Sequence, residues 1–130
     1  MREIDLRAFF ELEGHRSQRT GRPFTVVRLA PPMYAAGERE LHFLRVLVQM
    51  ELRRTDLVQV MDGEVVAFLA ETAGAQVQPP LDRVQGALSR GLLDYEPRIA
   101  WASVGPGHRR SWQEAWRWAG ALLVAEAAAA

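Results

Sequence analysis

A tight turn between two apolar runs constrains this chain more than any other feature. Asp62-Gly63 separates Leu57-Val-Gln-Val-Met61 from Glu64-Val-Val-Ala-Phe-Leu-Ala70. Asp-Gly tolerates positive φ at both central positions of a tight hairpin loop, and the flanking runs are rich in β-branched residues. The pair predicts strands near 57–61 and 64–70. Just upstream, Leu52-Arg-Arg-Thr-Asp56 reads as a helix end running into a turn, since arginine is favoured at the negative end of the helix dipole.

The remaining periodicities supply the other elements. From about Ile4 to Arg19, Leu6, Phe9, Phe10 and Leu12 form an apolar stripe on a leading helix that ends near Gly21. Pro23 to Leu29 is β-branched and bounded by Gly21 and Pro31-Pro32, which predicts a mostly buried, central strand. Gly37-Glu38-Arg39-Glu40 opens a second helix with Leu41, Leu44, Leu47, Val48 and Met50 on its core face. After Pro79-Pro80, the segment Leu81 to Leu92 places Leu81, Val84 and Leu88 at helical spacing. Arg98 to Ser103 reads as a fourth strand closed by Gly105-Pro106-Gly107, and Ser111 with Glu114 forms a capping box for a last helix. The order is an α+β, ferredoxin-like β-α-β-β-α-β core with one extra helix at each end. The expected sheet is four-stranded and antiparallel, order 4-1-3-2, with both crossover helices on one face. Residues 1–130 read as a single domain.

Composition narrows the function. Sixteen arginines and no lysine balance sixteen acids, so the formal net charge is zero. No global field draws in nucleic acid or an anionic membrane, and any anion site must be local. Cysteine is absent, which removes disulfides, thiolate nucleophiles and cysteine metal sites. The opening residues are charged and no apolar run approaches the roughly 18 residues needed to cross a bilayer, so a cytoplasmic location is expected. The arginine-only cation set and the lack of asparagine suit a thermophile or a GC-rich genome. His15, His42 and His108 lie in separate elements without metal-ligand spacing, so no metal and no cofactor is expected. Trp112 and Trp116 share a helix face and suit a core or interface; base stacking would need a basic stripe that the chain lacks. The loop Gly107-His108-Arg109-Arg110 reads as solvated, with phosphate contact as the alternative.

These elements resemble the GGDEF family, the diguanylate cyclases. The family reads R-x-x-D, strand, G-G-D-E-F, strand, and then an acid and a threonine. Here Arg53-Arg-Thr-Asp56 is followed by a strand, by the shortened turn Asp62-Gly63-Glu64-Val65, by a second strand and by Glu71-Thr72. Gly37-Glu38-Arg39-Glu40-Leu41 is similar to the family's G-D-x-x-L helix start, Ser103-Val104-Gly105 to its S-x-G strand end, and Ala121 to Glu126 to its closing A-L-Y-x-A-K. The resemblance spans nearly the whole chain.

Two Mg²⁺ ions would need several carboxylates. Where the family's first strand ends in D-x-D, this chain has Ala30 and Pro32. The third acid of the family falls at Gly63 or Asp62, most of the loop between Ala30 and Glu38 is deleted, and the family's lysine is Glu126, which repels triphosphate. The resemblance therefore implies no catalytic residues and a degenerate, inactive regulatory module. Its leading mechanism is association with a protein partner or a second copy through an exposed helix face. The alternative is reception of cyclic di-GMP at the family's product-binding pattern, Arg53 and Asp56 with Arg83 from the following helix. Arginine forks take phosphate or the guanine Hoogsteen edge, and aspartate accepts from guanine donors. The bland reading of the same residues is a helix-end arginine, a turn acid and a solvated arginine. A residual nucleotide-processing enzyme is the third reading.

Overall fold

Asp5 opens the first helix by accepting the backbone N–H groups of Arg7 and Ala8 at 3.1 and 3.3 Å, and Gly21 closes it in the left-handed region at φ 73°. The computed structural model describes residues 5–109 and 111–129. Its elements are α1 (Leu6–Thr20), β1 (Phe24–Ala30), α2 (Glu38–Met50), β2 (Leu57–Met61), β3 (Glu64–Ala70), α3 (Gln78–Leu88), β4 (Arg98–Val104) and α4 (Trp112–Ala129), with single 3₁₀ turns at Met33–Ala35 and Gly74–Val77. Ile4, Arg110 and Ala130 lie outside the described residues.

The sheet order is β2-β3-β1-β4, every neighbouring pair antiparallel, which is the expected 4-1-3-2 in reverse. The hairpin register places Met61 opposite Glu64 across Asp62 (φ 51°) and Gly63 (φ 75°), so both turn residues take the positive φ that a two-residue hairpin requires.

β1 is central and nearly all of it is buried, because both faces of the sheet are covered. On one face Val27, Leu29, Val65, Ala67 and Leu69 pack with Leu41, Leu44 and Val48 of α2 and Leu81 and Val84 of α3. On the other, Phe24, Val26, Val66, Phe68, Ala102 and Val104 pack with Leu6 and Phe10 of α1 and Ala115 of α4. The crossover helices thus share one face, as expected, and the two terminal helices share the opposite one. Trp112 stacks on Phe10 at 5.5 Å and Phe9 meets Phe68 edge-on at 4.9 Å, so the first tryptophan of α4 belongs to the core.

Three sequence expectations need correction. Met50 is 73% exposed: nine residues after Leu41 it projects from the opposite side of α2, the side that carries the exposed Phe43. Leu12, in the stripe of α1, is likewise exposed. α3 begins at Gln78 and not after the prolines, because Pro79 and Pro80 occupy the first turn, where the missing N–H groups have no intrahelical partner in any case. It ends at Leu88, short of Leu92, and Gly91 follows at φ 81°.

Candidate functional site

Two places carry the residues that the sequence singles out. The first lies where β1 and the hairpin turn meet α4. Ala30 closes β1 and is buried with Ala100, Ala119 and Leu123, so an apolar contact occupies the position where the resemblance put a metal-binding acid. Pro32 follows it. Glu64, the acid just after the turn, is held bidentately by Arg28, Nε to Oε1 at 2.7 Å and Nη2 to Oε2 at 2.9 Å. The same guanidinium donates from Nη1 to the carbonyl oxygen of Trp116 at 2.9 Å and lies 4.0 Å over the Trp116 ring. Both side chains are mostly shielded, 13% exposed for Arg28 and 18% for Glu64. A fork-on-fork pair of this kind uses both carboxylate oxygens and neutralises the charge locally. Sequence reasoning missed Arg28; its only signal was an arginine inside an otherwise apolar strand. Among the described residues no group of three His, Asp or Glu side chains is placed to hold a metal ion.

The second place is a concavity of about 220 Å³ lined by Arg53, Asp56, Thr72, Gln76, Pro80 and Arg83, together with Leu69 and Glu71. All three candidate residues for cyclic di-GMP therefore border one hollow. Their bonding differs from free ligand contacts. The Asp56 side chain is only 2% exposed and accepts from the backbone N–H of Arg53 and of Ala70, each at 3.0 Å. Arg53 packs over it, Nε to Oδ2 at 3.4 Å and Nη2 to Oδ1 at 3.3 Å, and donates from Nη2 to the Ala70 carbonyl at 2.6 Å and the Thr72 hydroxyl at 2.9 Å. These two residues form a latch from the end of α2 to the end of β3. The Arg53 side chain remains 54% exposed on its outer side. Arg83 donates from Nε to the carbonyl of Glu51 at 3.3 Å, and Glu71 at the rim, itself at φ 51°, pairs with Arg22 at 2.9 Å. The hollow thus holds two arginines against one buried and one rim carboxylate.

The other sequence candidates sit apart from both places. His15 is near Glu11 at 3.8 Å on the surface of α1, His42 approaches Arg45 on α2 at 3.5 Å, and the His108 ring lies beside Gly74. Arg109 stacks on Trp118 at 4.3 Å. Glu126 falls in the described part of α4, but its side chain lies outside the described residues.

Comparison with solved structures identifies the fold. The GGDEF domain of YfiN (TpbB) from Pseudomonas aeruginosa superposes with a TM-score of 0.76 at 20% identity, covering 95% of this chain and 90% of that one. The FimX GGDEF domain from the same organism gives 0.73 at 13% identity, over 88% and 81% of the two chains. The diguanylate cyclase SiaD from P. aeruginosa, in complex with its activator SiaC, gives 0.66 at 17% identity, and covers 92% of this chain. This chain spans about half of SiaD, 52% of its length. The fold is that of a GGDEF domain. No protein-family model and no curated protein matches the sequence.

Proposed function

We propose that this chain is a GGDEF-fold domain without cyclase activity, serving cyclic-dinucleotide signalling in bacteria through association with protein. The observation that carries the reading is the Arg28–Glu64 pair. The acid just after the hairpin turn, Glu64, is held by an arginine that also donates to the Trp116 carbonyl, while Ala30 packs against Ala119 and Leu123. Two-metal phosphoryl transfer needs carboxylates free to bind cations that clamp the attacking and leaving oxygens; Ala30 and the paired Glu64 offer none, and the single turn acid Asp62 cannot hold two cations. Association is supported by exposed apolar side chains on the outer surface of α4, Trp118, Leu122 and Val124. It is also supported by the SiaD structure, in which a diguanylate cyclase is bound to its activator.

The test is incubation of the purified protein with GTP and Mg²⁺, with the products resolved by chromatography. No cyclic di-GMP is expected, and its formation in a reaction that stops on Glu64→Gln would overturn the reading.

A second reading, reception of cyclic di-GMP, rests on Arg53, Asp56 and Arg83 bordering one hollow. In it Arg83 and the outer edge of Arg53 take the phosphates, while Asp56 holds Arg53 in place. Calorimetric titration with cyclic di-GMP tests it directly.

A further inference from the structure

We infer that Glu71, and not Asp56, is the residue that reads a base in the hollow at the end of β3, and that the base presents a guanine-type edge of adjacent N–H donors. This rests on the cyclic di-GMP reading above and moves base recognition to a residue outside the R-x-x-D pattern.

Asp56 has no acceptor capacity left. A carboxylate offers about four lone-pair sites, two on each oxygen. Oδ1 takes the Ala70 N–H and Arg53 Nη2, while Oδ2 takes the Arg53 N–H and Nε. All four donors belong to the protein and the side chain is 2% exposed, so an incoming base finds neither an open lone pair nor a path to one. Glu71 is the other carboxylate bordering the hollow. Its side chain is 62% exposed, and among the described residues its one polar partner is Arg22, which meets Oε1 at 2.9 Å. Oε2 stays open, and an ion pair so exposed to water contributes little and yields readily to a competing donor.

The neighbours of Glu71 set the polarity of the ligand. An ionised carboxylate only accepts, so it suits the N1–H and N2–H groups of guanine. Adenine presents one donor there beside a bare ring nitrogen, whose lone pair a carboxylate repels. Gln76 receives the Ala73 N–H on Oε1 at 3.1 Å, which leaves its Nε2 to donate, and guanine O6 is the acceptor next to N1–H. Arg83 engages only Nε, toward the Glu51 carbonyl, so its terminal nitrogens are open to a phosphate. Leu69 and Pro80 add apolar contact. At about 220 Å³ the hollow is smaller than the roughly 300 to 1,000 Å³ that encloses a drug-sized ligand, so it takes one base and leaves the rest of a dinucleotide outside.

Calorimetric titration of the whole chain at about 100 μM with cyclic di-GMP, cyclic di-IMP and cyclic di-AMP tests this. The three share their sugars and phosphates and differ in the base edge. Wild type is expected to bind cyclic di-GMP about tenfold or more tightly than cyclic di-AMP, with the inosine dinucleotide, which lacks the N2 donors, in between. Glu71→Gln should weaken cyclic di-GMP about tenfold or more, leave cyclic di-AMP nearly unchanged and leave the unfolding curve in place. A carboxylate that acted only by repelling phosphate would give the opposite sign, because the same variant would then tighten all three ligands together. Should the variant fold poorly, the ligand series on wild type still decides. Equal affinity of wild type for the three dinucleotides, or a Glu71→Gln protein that keeps the guanine preference, overturns the assignment to Glu71 and leaves reception standing. No heat from wild type with cyclic di-GMP removes reception, and this assignment with it.

Discussion

The Asp56 carboxylate accepts the backbone N–H of Ala70 at 3.0 Å, immediately beyond the point where Leu57 pairs with Phe68, so a side chain supplies the next rung of the β2–β3 ladder. The other oxygen accepts the Arg53 N–H at the end of α2. One buried acid therefore ties a helix end to a strand end, and the residues expected to bind ligand are first of all structural.

Asp56→Ala should destabilise the domain by about 2 to 3 kcal/mol, since it strands two backbone N–H groups and removes the charge partner of Arg53. Asp56→Asn, which keeps one acceptor, should cost about half of that. Urea denaturation of the three proteins checks both values, and equal stability across them would contradict the latch.

The Arg28–Glu64 pair is mostly shielded from water, so removing one partner leaves the other charge poorly solvated. Glu64→Ala should cost roughly 2 to 3 kcal/mol. Joint replacement by Arg28→Met and Glu64→Leu should cost less than the sum of the single changes, because no stranded charge remains. A double-mutant cycle by denaturant unfolding measures the coupling, and simple additivity would show that the pair contributes only as two separate side chains.

Much of the fold was legible because its strongest signals are local. Asp62-Gly63 dictates a hairpin wherever it lies between β-branched runs, and Gly21 and Ser111 mark helix ends by their own chemistry; the Ser111 hydroxyl accepts the Glu114 N–H at 3.2 Å. Pro79-Pro80 misled because proline stops a helix interior but not its first turn. Met50 misled because it is apolar without sharing the apolar face: nine residues after Leu41 it points the opposite way around α2. The candidate site was legible in position and not in bonding. Arg53, Asp56 and Arg83 do gather at one hollow, but Asp56 turns inward to backbone groups that no side-chain pattern announces. Arg28 and Glu64 are distant in sequence, and their pairing follows from the β1–β3 register, which only the folded sheet reveals.

Tyr95 gives a pH dependence of definite sign. Burial raises the pKa of its hydroxyl above the ordinary tyrosine value, with the Asp94 and Glu40 carboxylates and Tyr34 adding to the effect. The unfolded chain therefore releases this proton at lower pH than the folded one, so the contribution to stability is full below about pH 10 and is lost as pH rises beyond it. Unfolding followed between neutral and strongly alkaline pH should show this loss in wild type and a shallower one in Tyr95→Phe. Parallel curves would mean that Tyr95 titrates alike in both states.

Arg53 and Arg83 border the same hollow, yet they should behave differently when truncated. Arg53 makes side-chain hydrogen bonds to Asp56, Ala70 and Thr72, whereas Arg83 makes one long bond to an exposed carbonyl. Arg53→Ala should therefore lower stability by about 1 to 2 kcal/mol, and any loss of cyclic di-GMP binding in that variant would mix a direct contact with a loosened latch. Arg83→Ala should leave the unfolding midpoint within about 0.5 kcal/mol of wild type, which makes it the clean probe. If the hollow receives cyclic di-GMP, Arg83→Ala should weaken binding about tenfold or more through the loss of one charged phosphate contact. Calorimetry at about 100 μM protein would register binding stronger than roughly −5.5 kcal/mol. Binding unaffected by Arg83→Ala would place the ligand elsewhere, and no heat from wild type would leave Arg53 and Asp56 as a purely structural tie between α2 and the hairpin.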